Sequence, residues 1–182
     1  KEADKILTVL TRDFGKRTVK ARGCRRKNSR LTAGSQLLVF SEMTIQERGE
    51  FLTLSEADPQ QQFWSIRQDL ELLALASYFA EVTESACQEG EESSEELSLL
   101  LNCLYALSKL NLPESQVKAV FELRAACLSG YTPDLTGCHV CGSQTPERFD
   151  LSAGMLECRN CRSPESNGIR MPVPPSVLEA MR

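Results

Sequence analysis

Over roughly the first sixty residues, apolar and polar positions tend to alternate, and beyond them apolar residues recur every three or four positions. Lys5 to Phe14 is rich in β-branched and apolar residues, Gly15 punctuates it, and Arg17 to Gly23 resumes an alternating pattern. Two strands joined by a short turn around Asp13-Phe14-Gly15 are therefore predicted. Arg25 to Arg30 is too polar for a core strand and reads as a flexible loop. Leu37 to Gln46 reads as a third strand, with Met43 and Ile45 on one face and Thr44 and Gln46 on the other. Arg48-Gly49-Glu50 makes a turn, and Phe51 to Ser55 returns as a fourth strand. Four short strands with turn signals between them predict a small barrel or half-barrel. An oligonucleotide-binding barrel needs five strands, so its first is expected ahead of Lys1, where a chain opening on Lys rather than Met is expected to lack residues.

After Asp58-Pro59 the period lengthens. Ile66, Leu70, Leu72, Leu73, Leu75, Phe79, Val82 and Ala86 form a broad apolar stripe, which predicts one long helix. Residues 88–96 are mostly Glu, Ser and Gly and read as a solvated connection. Ser93 with Glu96 three residues on has the form of a capping box, followed by Leu97, Leu100, Leu101, Leu104 and Leu107. Pro113 suits the first turn of a third helix through Val117, Val120, Phe121 and Leu128, which Gly130 would stop. Pro172, Pro174 and Pro175 lead into a last helix beginning at Ser176-Val177-Leu178. The expected fold class is α+β. An oligonucleotide-binding (OB-fold) β-barrel over 1–58 is followed by a mainly α-helical domain over 59–182.

Within that second domain Cys138-His139-Val140-Cys141 is answered, after sixteen intervening residues, by Cys158-Arg159-Asn160-Cys161. Two Cys-x-x-Cys knuckles can turn four sulfurs toward one point, the pattern of a four-thiolate zinc site in a module at about 136–164. Gly142 suits the tight turn after the first knuckle. Two disulfides would need an oxidising compartment, and a redox pair would account for one knuckle but not both. Four protein thiolates leave no open coordination position, so the zinc is expected to be structural. His139, the only histidine, reads as a solvent-facing turn residue rather than a ligand. Cys24, Cys87, Cys103 and Cys127 are scattered singly, as buried thiols of a reducing compartment are.

The net charge of −4 conceals an asymmetry. Residues 1–30 hold eleven Lys or Arg and three acids, whereas the remainder holds ten bases and twenty-two acids. Lys16, Arg17, Lys20, Arg22, Arg25, Arg26, Lys27 and Arg30 fall within fifteen residues. On a strand Lys20 and Arg22 point the same way, so one sheet face would present a cationic row continued by the loop. This density of one sign predicts phosphate contacts and nucleic-acid binding. Aromatic platforms in the barrel region are few, namely Phe14, Phe40 and Phe51. Binding is then expected to be sensitive to salt and indifferent to sequence. No phosphate-cradling glycine loop or dinucleotide fingerprint is present, and one histidine between zinc cysteines makes a Ser-His or Cys-His nucleophile improbable. A non-enzyme is expected, with neither a membrane-crossing run nor a signal peptide.

Several motifs together resemble the RecO family of bacterial recombination mediators and DNA repair proteins. They are Glu2-Ala3-Asp4-Lys5-Ile6-Leu7 with Leu10-Thr11, Phe14-Gly15-Lys16, Lys20-Ala21-Arg22-Gly23 and Ser29-Arg30-Leu31. Ala76-Ser77-Tyr78-Phe79-Ala80-Glu81, Phe121-Glu122-Leu123-Arg124 and Gly130-Tyr131-Thr132-Pro133-Asp134-Leu135 extend the match over nearly the whole chain. The resemblance implies an OB fold, a helical domain and a zinc module. It further implies binding to single- and double-stranded DNA, annealing of complementary strands, and work with RecR to load RecA recombinase onto strands coated by single-strand-binding protein. Cytoplasmic, nucleoid-associated location goes with it. The family's basic surface would fall on Lys16, Lys20, Arg22, Arg25, Arg26, Lys27 and Arg30. The acidic tail of single-strand-binding protein would meet Lys118, Phe121 and Arg124 on one helix. A zinc-ribbon RNA-binding protein and a scaffold without nucleic acid are the competing readings.

Overall fold

A computed structural model of the chain describes residues 2–49, 51–161 and 168–182. Two compact units divide it, Lys1–Ala125 and Ala126–Arg182. The first begins with strands β1 (Lys5–Thr11), β2 (Gly15–Ala21), β3 (Phe40–Arg48) and β4 (Phe51–Gln61). They form one sheet in the order β1-β2-β4-β3, antiparallel except for the short parallel match of Val19 and Lys20 with Leu52 and Thr53. Among the described residues β1 and β3 remain edges, so the sheet is an open, OB-like one rather than a closed barrel. Its inner face gathers Val19, Ala21, Cys24, Leu31, Leu54 and Ala57, all buried, with Leu7, Val9, Met43 and Ile45 against them.

The fourth strand passes through Asp58-Pro59, where a boundary was expected. Proline is found here beside a bulge: the pairing shifts from Phe40 with Gln61 to Ser41 with Pro59, and Gln60 is the extra residue. The single long helix is also corrected. It is two, α1 (Trp64–Gln68) and α2 (Leu70–Ala86), parted at Asp69 in extended conformation. The Asp69 carboxylate accepts from the amides of Glu71 and Leu72 at 2.8 and 3.1 Å, capping α2 at the point where an apolar stripe alone would run on.

Helix α3 (Ser94–Tyr105) does not carry the expected capping box, because the Ser93 side chain makes no bond to the helix end. Ser93 is buried and hydrogen-bonds the Cys87 thiol, and its amide donates to the Arg12 carbonyl at 2.8 Å. Nor is 88–96 a mere connection. The Lys16 amide donates to Gln88 at 3.2 Å and the Gly90 amide to Phe14 at 2.9 Å, so this segment holds the tip of the β1–β2 hairpin. Gly15 has φ 58°, and a Cβ there would stand 2.1 Å from the Gln88 oxygen, so only glycine fits. A π-helical turn, Ala106–Leu110, follows α3. The Ser108 carbonyl, five residues before Pro113, finds no amide there and accepts from the Ser65 hydroxyl at 3.1 Å. Helix α4 (Glu114–Leu128) starts after Pro113 as expected, and Gly130 closes it at φ 88°, with the Tyr131 amide reaching back to Ala126. The helical core centres on Phe79 and Phe121, stacked at 4.2 Å. Among the described residues no helix is long and apolar enough to cross a membrane.

The second unit carries more strand than its sequence revealed. Strands β5 (Asp134–Cys138), β6 (Arg148–Asp150), β7 (Met155–Glu157) and β8 (Arg170–Pro172) make a sheet in the order β5-β7-β6-β8, and α5 (Pro175–Met181) closes the unit. Runs of three residues are too short to show a period. Leu156, Val173 and Leu178 form the apolar core. Beside them Asp150 and Glu157 are fully buried, and Arg170 answers both, its Nη2 lying 3.9 Å from Asp150 and its Nε against Glu157. Asp150 also accepts from the amides of Ser152 and Ala153, which shapes the β6–β7 turn. Removing the cation strands two buried carboxylates. Arg170→Met is expected to cost about 3–5 kcal/mol in a urea titration followed by circular dichroism, with partial recovery in Arg170→Lys. An unchanged unfolding midpoint would show that the arginine contributes nothing.

Candidate nucleic-acid interface and metal centre

The basic segment begins on β2. Val19 and Ala21 are fully buried, so Lys20 between them points to the opposite face, which Lys16 and Thr18 share along the strand. Arg22 continues that row just beyond the strand. The chain then goes through a series of tight turns rather than a flexible loop. Gly23 takes φ 66°, and amides of Arg26, Ser29, Thr32 and Ser35 bond carbonyls three or four residues back. The Arg25 amide reaches Ala3 at 3.1 Å, and the Thr32 hydroxyl bonds the Cys24 carbonyl at 2.7 Å. Cys24, at 1% exposure, is the plug of this arrangement, and Leu31 is the second. Two buried residues with charge between them leave Arg25, Arg26, Lys27 and Arg30 facing water, and all four are exposed.

The eight cations are not equally free. The Lys16 amine donates to the Glu84 carbonyl at 2.9 Å, and Arg17 lies 3.5 Å from Glu89 and 6.0 Å from the ring centre of Phe14. Among the described residues, no carboxylate lies within 4.0 Å of Lys20, Arg22, Arg25, Arg26, Lys27 or Arg30. Asp4 is the acid of their neighbourhood. Its carboxylate accepts the Gly23 amide at 2.8 Å, and that bond, with smaller help from Lys20 and Arg22, holds it below the usual carboxylate range. The β3–β4 half of the outward face is acidic instead, with Glu42 opposite Asp58. A phosphate backbone laid on the cations must therefore follow β2 into the turns rather than cross the sheet.

The residues expected to meet a protein tail fare differently. Phe121 is fully buried against Phe79, so it offers no surface, and its expected role as a contact is corrected by packing. Lys118 lies 3.8 Å from Glu122 and 5.7 Å from the Tyr78 ring centre, and Arg124 is exposed. One candidate escaped sequence reading altogether. Trp64 is 61% exposed with the Arg67 guanidinium 4.3 Å from its ring centre. The signal was present as a lone tryptophan with arginine three residues on, just ahead of the apolar stripe that begins at Ile66.

In the second unit Cys138, Cys141, Cys158 and Cys161 bring their sulfurs within 4.8 Å of one another, and no other group of this kind occurs among the described residues. Cys141 and Cys158 are 3.8 Å apart, the edge of a tetrahedron of sulfurs about 2.3 Å from a central ion. All eight cysteines are free thiols. Gly142 has φ 75° and its amide bonds the Cys138 carbonyl at 2.7 Å, closing the first knuckle. His139 is exposed, and both its amide and its ring nitrogen engage the Leu156 carbonyl at 3.0 Å, which leaves it outside the cluster. Burial pushes the Cys138 thiol up, but the amides of Cys141, Cys158 and Val140 outweigh this and bring it down to about 6. The hydrogen bond to Cys141, then burial, lifts Cys161 to about 12, and burial raises Cys158 as well. These four cysteines could hold one metal ion.

An open sheet with a cationic strip along β2 and the turns after it, a helical region and a four-cysteine module define an α+β protein of the kind that pairs a basic surface with a small metal-binding domain. The family model for the N-terminal part of recombination protein O matches residues 1–63, and the model for its C-terminal part matches 67–182. The chain belongs to the RecO family. It is 34% identical to DNA repair protein RecO of Acetivibrio thermocellus, over 93% of the chain and 68% of that relative. It is 35% identical to the protein of that name from Caldicellulosiruptor bescii, over 97% and 73%. With that of Rubrobacter xylanophilus the identity is 38%, over 100% of the chain and 73% of the relative.

Metal binding should depend steeply on pH. Thiols raised above their ordinary value, such as Cys158 and Cys161, keep their protons at neutral pH and must lose them to a metal. Acidification therefore favours the empty, protonated cluster. Metal affinity, read with a competing chromophoric chelator, is expected to fall at least about tenfold per unit between about pH 8 and pH 6. An affinity flat across that window would contradict four-thiolate binding.

Proposed function

We propose that the protein is a mediator of DNA repair and homologous recombination that binds single- and double-stranded DNA and anneals complementary strands. With RecR, it helps load RecA onto strands coated by single-strand-binding protein. It works in the bacterial cytoplasm at the nucleoid, and no catalytic step is assigned to it. Residues 1–58 supply the DNA-binding part and 59–182 the helical and metal-bearing part. Zinc is the metal this reading assigns to Cys138, Cys141, Cys158 and Cys161, about one per chain, because four thiolates suit it and leave no position for a substrate. Lys118 and Arg124 receive the acidic tail of single-strand-binding protein.

The observation that carries the reading is the set of six cations with no carboxylate partner among the described residues, running from β2 into a pinned series of turns. Lys16 and Arg17 extend the set at its lower end. Two strands brought together repel through their phosphates, and a cationic track lowers that repulsion without occupying the base edges. Annealing then follows from electrostatics, and membership of a family whose relatives bear the name DNA repair protein supports the biological setting.

Salt titration of duplex binding tests it. Six phosphate contacts correspond to a slope of about −5 in log K against log salt. The double variant Lys20→Glu with Arg22→Glu is expected to lower affinity at least about tenfold and flatten the slope by about two. Unchanged affinity at moderate salt would remove the proposal.

A further inference from the structure

We infer that Trp64, backed by Arg67, is a stacking platform for one base of a single-stranded nucleic acid. The inference rests on the nucleic-acid reading above and adds to it a subsite for an unpaired base. Phe63, the residue before, has φ 46°, a conformation that bulky side chains rarely adopt and that costs on the order of 1–3 kcal/mol. That step sends consecutive rings apart. Phe63 enters the helical core at 3% exposure, while Trp64 is left outside it. Arg67 is not a loose neighbour. Its Nη2 donates to the Gln62 carbonyl at 3.0 Å, which helps hold the guanidinium over the indole. With an arginine on one side, the ring keeps its remaining surface for a second flat group and carries positive charge beside it.

The segment that follows the basic turns leads toward the strand end just before Trp64. Gly34, at the far end of the basic turns, packs so closely on Ala57 that a Cβ would stand 2.5 Å from its oxygen, and the Ser41 hydroxyl bonds the Gly34 carbonyl at 3.0 Å. Phe40 then pairs with Gln61, the last residue of β4, three positions before Trp64. Leu38 packs against the cluster that contains Phe63 and Ile66. Asp69, the acid nearest in sequence, has its carboxylate turned onto amides of α2, which spares the platform an opposing charge. A base stacked by its face keeps its pairing edge free, so the subsite is compatible with annealing.

Trp64 is the only tryptophan, so its fluorescence reports on this site alone. Titration of the protein with an oligo-dT strand should quench it, whereas a blunt duplex, with no unpaired base to offer, should leave it nearly unchanged. In anisotropy with a labelled strand, Trp64→Ala is expected to bind single-stranded DNA roughly 5- to 100-fold more weakly, with duplex affinity and salt slope retained and Trp64→Phe recovering most of the loss. Strand binding seen by anisotropy without any fluorescence change would overturn the platform and leave the cationic track standing. No strand binding at low salt would overturn both.

Discussion

The burial of Cys24 beneath the N-terminal sheet is the constraint on which the basic surface depends. Fifteen residues carrying eight cations would ordinarily be a solvated and mobile strip. Here one small thiol and Leu31 are drawn into a core of Val19, Ala21, Leu54 and Ala57, and the cations between them, Arg25, Arg26, Lys27 and Arg30, are left facing water. A larger side chain could not share a core built of alanines and a glycine contact, and a polar one would be buried without water. The turn bonds then fix the spacing of the charges. The order is present without any ligand, which under the proposed function lowers the entropy cost of gripping a phosphate backbone.

Around that centre the two kinds of charge are kept apart. The outward sheet face is basic along β2 and acidic along β3 and β4, and the glutamate-rich segment at 88–93 is tied to the hairpin tip, where it engages Lys16 and Arg17. Acidic groups thus border the track instead of neutralising it. They limit where a polyanion can lie, and give direction to a surface that composition alone would describe only as positive.

Much of this was legible in the sequence, and the failures have physical causes. The hairpin of β1 and β2, the four cysteines, the helix after Pro113 and its glycine stop all rest on local chemistry that a single stretch of chain contains. The break at Asp69 was missed because an apolar stripe continued through it, although an aspartate was there to cap a new helix. Strand β4 ran past Pro59 because a bulge beside it, visible only once the two strands are paired, interrupts the regular ladder where proline sits. Ser93 looked like a cap until Cys87, six residues earlier, turned out to be its partner. Phe121 was offered to a partner through the family resemblance and its two flanking cations, whereas the stack on Phe79 lies across a packing interface that one stretch of chain does not describe. The short strands of the second unit and its buried Asp150–Arg170–Glu157 group had no period to show, since they are specified by one another.

Hydrogen exchange of the free protein tests the preformed track most directly. The amides of Arg25, Arg26, Ser29, Thr32 and Ser35 each have a named carbonyl partner in the absence of any ligand. They should exchange far more slowly than an unstructured chain and gain little further protection when DNA is added. Exchange at the unstructured rate in the free protein, with protection appearing only on DNA, would mean that the ligand builds the surface, and would contradict the account.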